Sequence, residues 1–332
     1  MRVAVTGATG FAGGVIAARL AAEGHEVLAL GRRAGSLPPS AGTAWRFAAW
    51  DVANPAASPP AELREVDAVV HAAARVAPAG PDAPFRATNV GGTARLLDAL
   101  GPHIRVVLIG TSSVYDPRVA RLGARETEAP VADDRYLNAY ARTKAAQERL
   151  VRDRRPDALV LRPRAIWGPG DRTLLPRLLA RVKGGVLPLP AGGRHPMSIA
   201  HIDTLTAAVV AGLAHPEVSG PVNVADAATM TPASLVRRLF AALGRDVRIM
   251  PVPVVAADLA ARLAEAWSFA RPGAEPPLTR YAVAAFARPF TLDTTRLREE
   301  LRVTGDVDVD GEIERVAATM RARARAHGAL RS

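Results

Sequence analysis

Residues 2–13 constrain this chain more than any other stretch. A short β-prone apolar run, 2–6, passes directly into Gly7-Ala8-Thr9-Gly10-Phe11-Ala12-Gly13 and then into an Ala-rich helical pattern. Glycines at 7, 10 and 13 allow a tight reversal, bring backbone amides close to a phosphate and let the helix pack on the strand. By itself the spacing is weak evidence. At the first strand-to-helix turn it stands in the context that dinucleotide binding requires, and the competing reading is a glycine-rich turn with no ligand. Gly7, Thr9, Gly10, Phe11, Ala12 and Gly13 are therefore candidate cofactor contacts.

The rest of the first half repeats the theme. Apolar runs at 26–30, 67–72, 105–110 and 158–162 alternate with helical patterns at 13–23, 84–100 and 137–154. That alternation implies an α/β fold, a doubly wound Rossmann sheet of parallel strands. Past Pro163 the texture changes, with Pro and Gly recurring at 168–170, 184–193, 216–221 and 272–277. A helix at 201–214 followed by a strand at 219–225 returns to the first sheet. The expected organisation is a cofactor domain of residues 1–165 rejoined by 195–226. Residues 166–194 and 227–332 would form a smaller, mainly helical substrate lobe, with helices near 231–243, 254–269 and 311–327. Pro- and Ala-rich 53–61 reads as a surface loop.

Composition narrows the chemistry. The chain has no cysteine, which removes disulfides, thiolate nucleophiles and thiolate metal sites, and its seven histidines show no ligand spacing, so no metal is expected. The formal charge is +11, yet only two of the 43 basic residues, Lys144 and Lys183, are lysines, and the arginines are scattered. With 5% aromatic residues and no basic cluster, nucleic acid is not an expected partner. No apolar run approaches the roughly 20 residues that span a bilayer, and residues 1–20 do not read as a secretion signal; a cytoplasmic protein free of the membrane is expected.

Two residues carry acid/base chemistry. Tyr140 and Lys144 lie four apart, on one face of the helix expected at 137–154. A tyrosine titrating near 10 is a poor base at neutral pH, and a neighbouring ammonium favours its phenolate. With four tyrosines and two lysines in the chain, chance gives this spacing on the order of 0.02 times. Upstream, the strand at 105–110 ends in the hydroxyl run Thr111-Ser112-Ser113, where parallel sheets hold ligands. One of these hydroxyls is expected beside Tyr140, or each is a plain turn residue. Asp51, at the end of the apparent third strand FAAWDV (47–52), either meets the adenine or caps a turn.

In order and spacing these motifs, with WDV (50–52), VVHAAA (69–74), TNVGGT (88–93), SSVYD (112–116), YARTK (140–144), LRPRAIWGPGD (161–171), AHID (200–203) and VNVAD (222–226), resemble the extended short-chain dehydrogenase/reductase family from residue 1 to about 305. The resemblance implies a nicotinamide cofactor, Tyr140 as acid/base, Lys144 on the ribose and Thr111, or else Ser112, as the hydroxyl partner. It places Val52, Ala72, Ala73, Asn89 and Pro163 beside the cofactor, with Asn89 supporting the site. It further implies a small-molecule substrate and a homodimer. The segment 277–301 is similar to the 3β-hydroxysteroid dehydrogenase-like branch, which favours an apolar β-hydroxy or β-keto compound. Dehydratases of the family carry Asp-Glu after the threonine, but Ser112-Ser113 stands here. Sugar-nucleotide epimerases place an arginine at the position of Met197; Arg194 is the nearby substitute. His71 and His201 are expected to be structural. The rival functions are a nucleotide-sugar epimerase and a non-catalytic NADP sensor.

Cofactor choice rests on residues 31–33. Where NAD-selective enzymes carry an acidic residue this chain has Gly31, and Arg32 and Arg33 follow, suited to a 2′-phosphate. NADP is the expected cofactor, with NAD as the alternative.

Overall fold

The computed structural model describes residues 1–33, 45–171, 173–269, 271 and 275–329. Seven strands form one parallel sheet: β1 Arg2–Thr6, β2 Glu26–Gly31, β3 Trp45–Ala49, β4 Ala68–His71, β5 Arg105–Ile109, β6 Leu159–Pro163 and β7 Gly220–Val224. Their order is β7-β6-β5-β4-β1-β2-β3, so the chain runs outward one way from β1 and then the other. The doubly wound parallel sheet is as expected, and β7 does return to it beside β6.

The apolar runs mark strands buried on both faces. From β1, Val3 and Val5 enter one core with Ile16 and Leu20 of the helix Phe11–Ala22 and Leu205 and Val209 of Ile202–Ala214. Ala4 enters the opposite core, with Leu28, Val69 and Leu96. Register aligns the strand ends: Thr6 pairs with Leu30 and His71, Ile109 with Leu161, and Pro163 with Val224. All of the carboxyl ends thus open at one edge.

A second core gathers Trp167, Leu175, Leu187, Met197, Leu235, Phe240 and Val316. Asp226, just after β7, joins it to the sheet: its carboxylate accepts from Trp167 Nε1 (3.0 Å), the His201 amide (2.7 Å) and Thr204 Oγ1 (2.7 Å). Lobe helices lie at Pro232–Ala242, Val254–Phe269 and Val309–Ala329, close to expectation. On the second of these, Val255, Leu259, Leu263 and Trp267, one every four residues, face outward.

Two features differ from the sequence pattern. The helix expected at 84–100 starts at Asp82–Phe85, widens into a π turn over Arg86–Gly91 and resumes as Gly92–Ala99; the wider turn carries the fully buried Asn89. Three short parallel pairings join distant segments: Val186–Pro190 with Arg248–Val252, Arg121–Ala124 with Phe290–Leu292, and Ile166–Trp167 with Ala200–His201. Runs of two to five residues are too short for periodicity to announce.

Candidate active site

A cavity of about 930 Å³ lies along the carboxyl edge, from the glycine turn to the second lobe. Its first half is shaped by backbone. Gly7 sits at φ +68°, and a Cβ there would stand 2.8 Å from Ala73 Cα. At Gly13 a Cβ would lie 2.3 Å from the Gly7 carbonyl oxygen. Neither position admits a side chain without moving main chain. The turn leads into the amino end of Phe11–Ala22, whose first residues line the cavity with Thr9, Gly10, Val52, Ala72 and Ala73. A narrow backbone cradle at a helix start fits the pyrophosphate of a dinucleotide.

Beyond it the wall includes Gly31, Arg32 and Asp51. Gly31 has a packing reason that the sequence did not reveal: a Cβ there would be 2.8 Å from Thr9 Cγ2. Arg32 and Arg33 are both exposed, and only Arg32 is on the wall. Asp51 faces the cavity and also caps its own turn, accepting from the Ala53 amide at 2.9 Å.

Tyr140 opens the helix Ala139–Arg154, which is capped by Asn138 (2.8 Å to the Ala141 amide). Burial pushes its phenol up to about 12, against the lowering effect of the Thr111 hydroxyl beside it. Lys144, one turn on, points inward: Nζ donates to the Ile109 carbonyl (2.8 Å) and to Gln147 Oε1. Burial brings it down to about 7, opposed by Glu148. The expectation that Lys144 keeps Tyr140 acidic is therefore corrected: the ammonium is spent on two acceptors below the wall, and desolvation governs the phenol.

Behind this pair runs a buried polar chain. Gln147 Nε2 donates to Thr93 Oγ1 (2.7 Å), which also meets His71 Nε2 (2.8 Å), while His71 Nδ1 pairs with Thr6 Oγ1 (2.7 Å). Burial, helped by Lys144, holds His71 neutral, near 3. Asn89 is off the cavity wall and accepts from the Arg75 amide (2.8 Å) while donating to Thr143 (3.0 Å), tying the loop after β4 to the Tyr140 helix. His201 caps the helix Ile202–Ala214 through Nδ1 and meets Glu312 at 3.3 Å through Nε2.

The hydroxyl run reaches across the cavity. Thr111 donates to Ser113 Oγ (3.1 Å), and Ser113 Oγ bonds the Tyr281 hydroxyl (2.7 Å). Ser112 is also on the wall, as are Pro163 and Arg164. Tyr281 belongs to the lobe helix Arg280–Ala287, capped by Thr279. The far wall is Leu174, Leu178, Met197 and Phe286, with Arg177 and Arg181. Arg194 is exposed and off the wall, so it does not replace the arginine absent at Met197. Sequence reasoning missed Tyr281 and Arg164. The first sits 168 residues from its serine, and the second was quoted only as part of a longer motif.

Comparison with known proteins identifies the family and the fold. The NAD dependent epimerase/dehydratase family matches residues 3–225. A 2-alkyl-3-oxoalkanoate reductase of Stenotrophomonas maltophilia is 30% identical over 335 residues, covering 96% of this chain and 99% of that protein. An uncharacterized Escherichia coli protein is 31% identical, covering 97% and 98%. Among solved structures, the UDP-glucuronic acid 4-epimerase of Bacillus cereus in complex with NAD shares the fold, with a TM-score of 0.73 over 97% of this chain and 99% of its own at 18% identity. The chain belongs to the NAD dependent epimerase/dehydratase family and is an NAD(P)-dependent enzyme of the extended short-chain dehydrogenase/reductase type.

Proposed function

We propose that this enzyme interconverts a ketone and a secondary alcohol on an apolar β-keto or β-hydroxy substrate, using NADP(H). The observation that carries the reading is the Tyr140–Thr111 hydroxyl pair, set between a backbone cradle and an apolar lobe wall. The nicotinamide, when bound, supplies or accepts the hydride. Gly7, Gly10, Gly13 and Ala73 would hold the pyrophosphate of the dinucleotide, Pro163 would lie along the nicotinamide, and Arg32 would meet the 2′-phosphate. Thr111 positions the substrate oxygen. Tyr140, protonated at neutral pH because burial pushes it to about 12, donates its hydroxyl proton to that oxygen during reduction. Lys144 orders the site from below through Ile109 and Gln147.

The apolar preference is supported by Leu174, Leu178, Met197 and Phe286 on the far wall, and by reductases among the relatives, including one from Stigmatella aurantiaca named for a farnesylated quinoline oxide. Arg177 and Arg181 on the same wall favour a second reading, a nucleotide-sugar epimerase. A thermal-shift panel with NADP(H) present separates the two. Stabilisation by long-chain β-hydroxy compounds and none by UDP-sugars is expected; the reverse pattern rejects the first reading. A homodimer through the Tyr140 helix belongs to the same proposal, and sedimentation measures it.

A further inference from the structure

We infer that Arg164 is a substrate anion site: it binds the carboxylate of a long-chain 3-oxo or 3-hydroxy acid whose 3-oxygen lies at Tyr140 and Thr111. The inference rests on the oxidoreductase reading above and names its substrate class.

Two arginines at the same end of β6 make the case by contrast. Arg162 is fully buried and fully engaged: Nε and Nη2 donate to Glu148 (3.0 and 2.5 Å), and its other bonds reach the Glu126 carbonyl (2.8 Å), the Ala129 carbonyl (2.9 Å) and the Tyr115 hydroxyl (3.2 Å). Arg164 is 7% exposed and lies on the cavity wall. Its guanidinium lies over the Phe290 ring, 4.2 Å from the centroid, and its buried Nε has no partner. Among the described residues no carboxylate pairs with it.

A guanidinium does not shed its proton in a protein, so a buried one calls for an acceptor. Phe290 covers one face of the ion and leaves its in-plane N–H edges, the geometry that meets a carboxylate. The site is next to the chemistry. Arg164 lines the same cavity as Tyr140, Thr111 and Tyr281, and the Tyr281 hydroxyl bonds Ser113 (2.7 Å), which accepts from Thr111 (3.1 Å). In a 3-oxo acid the carboxyl carbon stands two bonds from the carbonyl carbon. Leu174, Leu178 and Phe286 are left for the alkyl chain.

The test compares a long-chain 3-hydroxy acid with its methyl ester in the NADP⁺-dependent direction, using the full chain. Charge-assisted bonds predict a wild-type kcat/KM ratio, acid over ester, of roughly 10–100. In Arg164→Gln the ratio should fall to near one, chiefly through KM for the acid, and in Arg164→Lys to an intermediate value, with the Kd for NADP(H) unchanged in both. Equal use of acid and ester by the wild type overturns the inference. So does a variant that slows both in equal proportion, the mark of a structural arginine, or one whose main loss is cofactor affinity, the mark of a nicotinamide contact. Should neither compound turn over, the oxidoreductase reading fails by itself, and equilibrium binding of the acid against the ester to wild type still decides the role of Arg164. That comparison also decides it if the variants do not fold.

Discussion

The two halves of the cavity are built from different materials. The cofactor half is largely main chain, with Gly7 against Ala73 and Gly13 against the Gly7 carbonyl, while Gly31 packs on the Thr9 side chain. Distances there are fixed by the sheet register and leave no room for a methyl group. The substrate half is side chain, with Leu174, Leu178, Met197, Tyr281 and Phe286 arriving from three separate segments. A backbone cradle recognises what every dinucleotide shares, whereas a wall of side chains is where one substrate is told from another. Tyr140 and Thr111 stand at the seam.

Removing the seam has the largest expected effect. Tyr140→Phe keeps the ring and deletes the proton donor, so kcat should fall by at least about 100-fold while cofactor affinity stays near the wild-type value. Steady-state kinetics with a cofactor titration measure both. Unchanged turnover would remove Tyr140 from the chemistry.

Next come paired substitutions, one in each half. Gly13→Ala places a methyl 2.3 Å from a carbonyl oxygen that cannot retreat without moving the turn. A cost of roughly 1–3 kcal/mol follows, seen as a lower melting temperature and at least about tenfold weaker NADP(H). Leu178→Ala in the far wall should leave cofactor affinity alone and raise KM for long-chain substrates. If both changes altered the same parameter, the division of labour between the halves would be wrong.

Below the seam, Lys144 makes stability depend on pH. An unfolded lysine titrates near 10.5 and this one near 7. Between those values the unfolded chain holds a proton that the native chain has released, so native stability from this group rises as pH rises through the window and its full cost is felt below 7. Urea midpoints at pH 7 and 9 should therefore climb in wild type relative to Lys144→Met, by at most about 2–3 kcal/mol between the two proteins. No relative change between the two pH values would show that the ammonium stays charged in its pocket.

What could be read from the sequence follows the same line. All seven sheet strands were legible as short apolar or β-prone runs, and the glycine cradle and the Tyr140/Lys144 spacing are local signals within a few residues. Tyr281 was not legible, because nothing local links it to Ser113; only the folding of the lobe helix over the cavity brings them to 2.7 Å. Arg164 looked like one arginine among many, since its meaning lies in what does not pair with it. Lys144 was found but misjudged: spacing gives a shared helix face, and only the packed interior shows Ile109 and Gln147 claiming the ammonium.

The smallest expected effect tests whether the cofactor half, otherwise indifferent to cofactor identity, has one selective side chain. Gly31 cannot become the acidic residue of an NAD-selective enzyme without displacing Thr9, because a Cβ there would sit 2.8 Å from Thr9 Cγ2. No carboxylate at that position opposes a 2′-phosphate. Arg32 is on the wall with its side chain exposed, free to make a charge-assisted bond; Arg33 is exposed and off the wall. An exposed pair gains less than a buried one, so a preference for NADP(H) over NAD(H) of about tenfold is expected, weakening as salt rises. Arg32→Ala should reduce that preference to near one by weakening NADP(H) alone, and Arg33→Ala should change it less. Dissociation constants for both cofactors at low and high salt decide the matter. Equal affinities in the wild type, or a larger loss in Arg33→Ala than in Arg32→Ala, would take this role from Arg32 and leave the cofactor half without a selective side chain at this position.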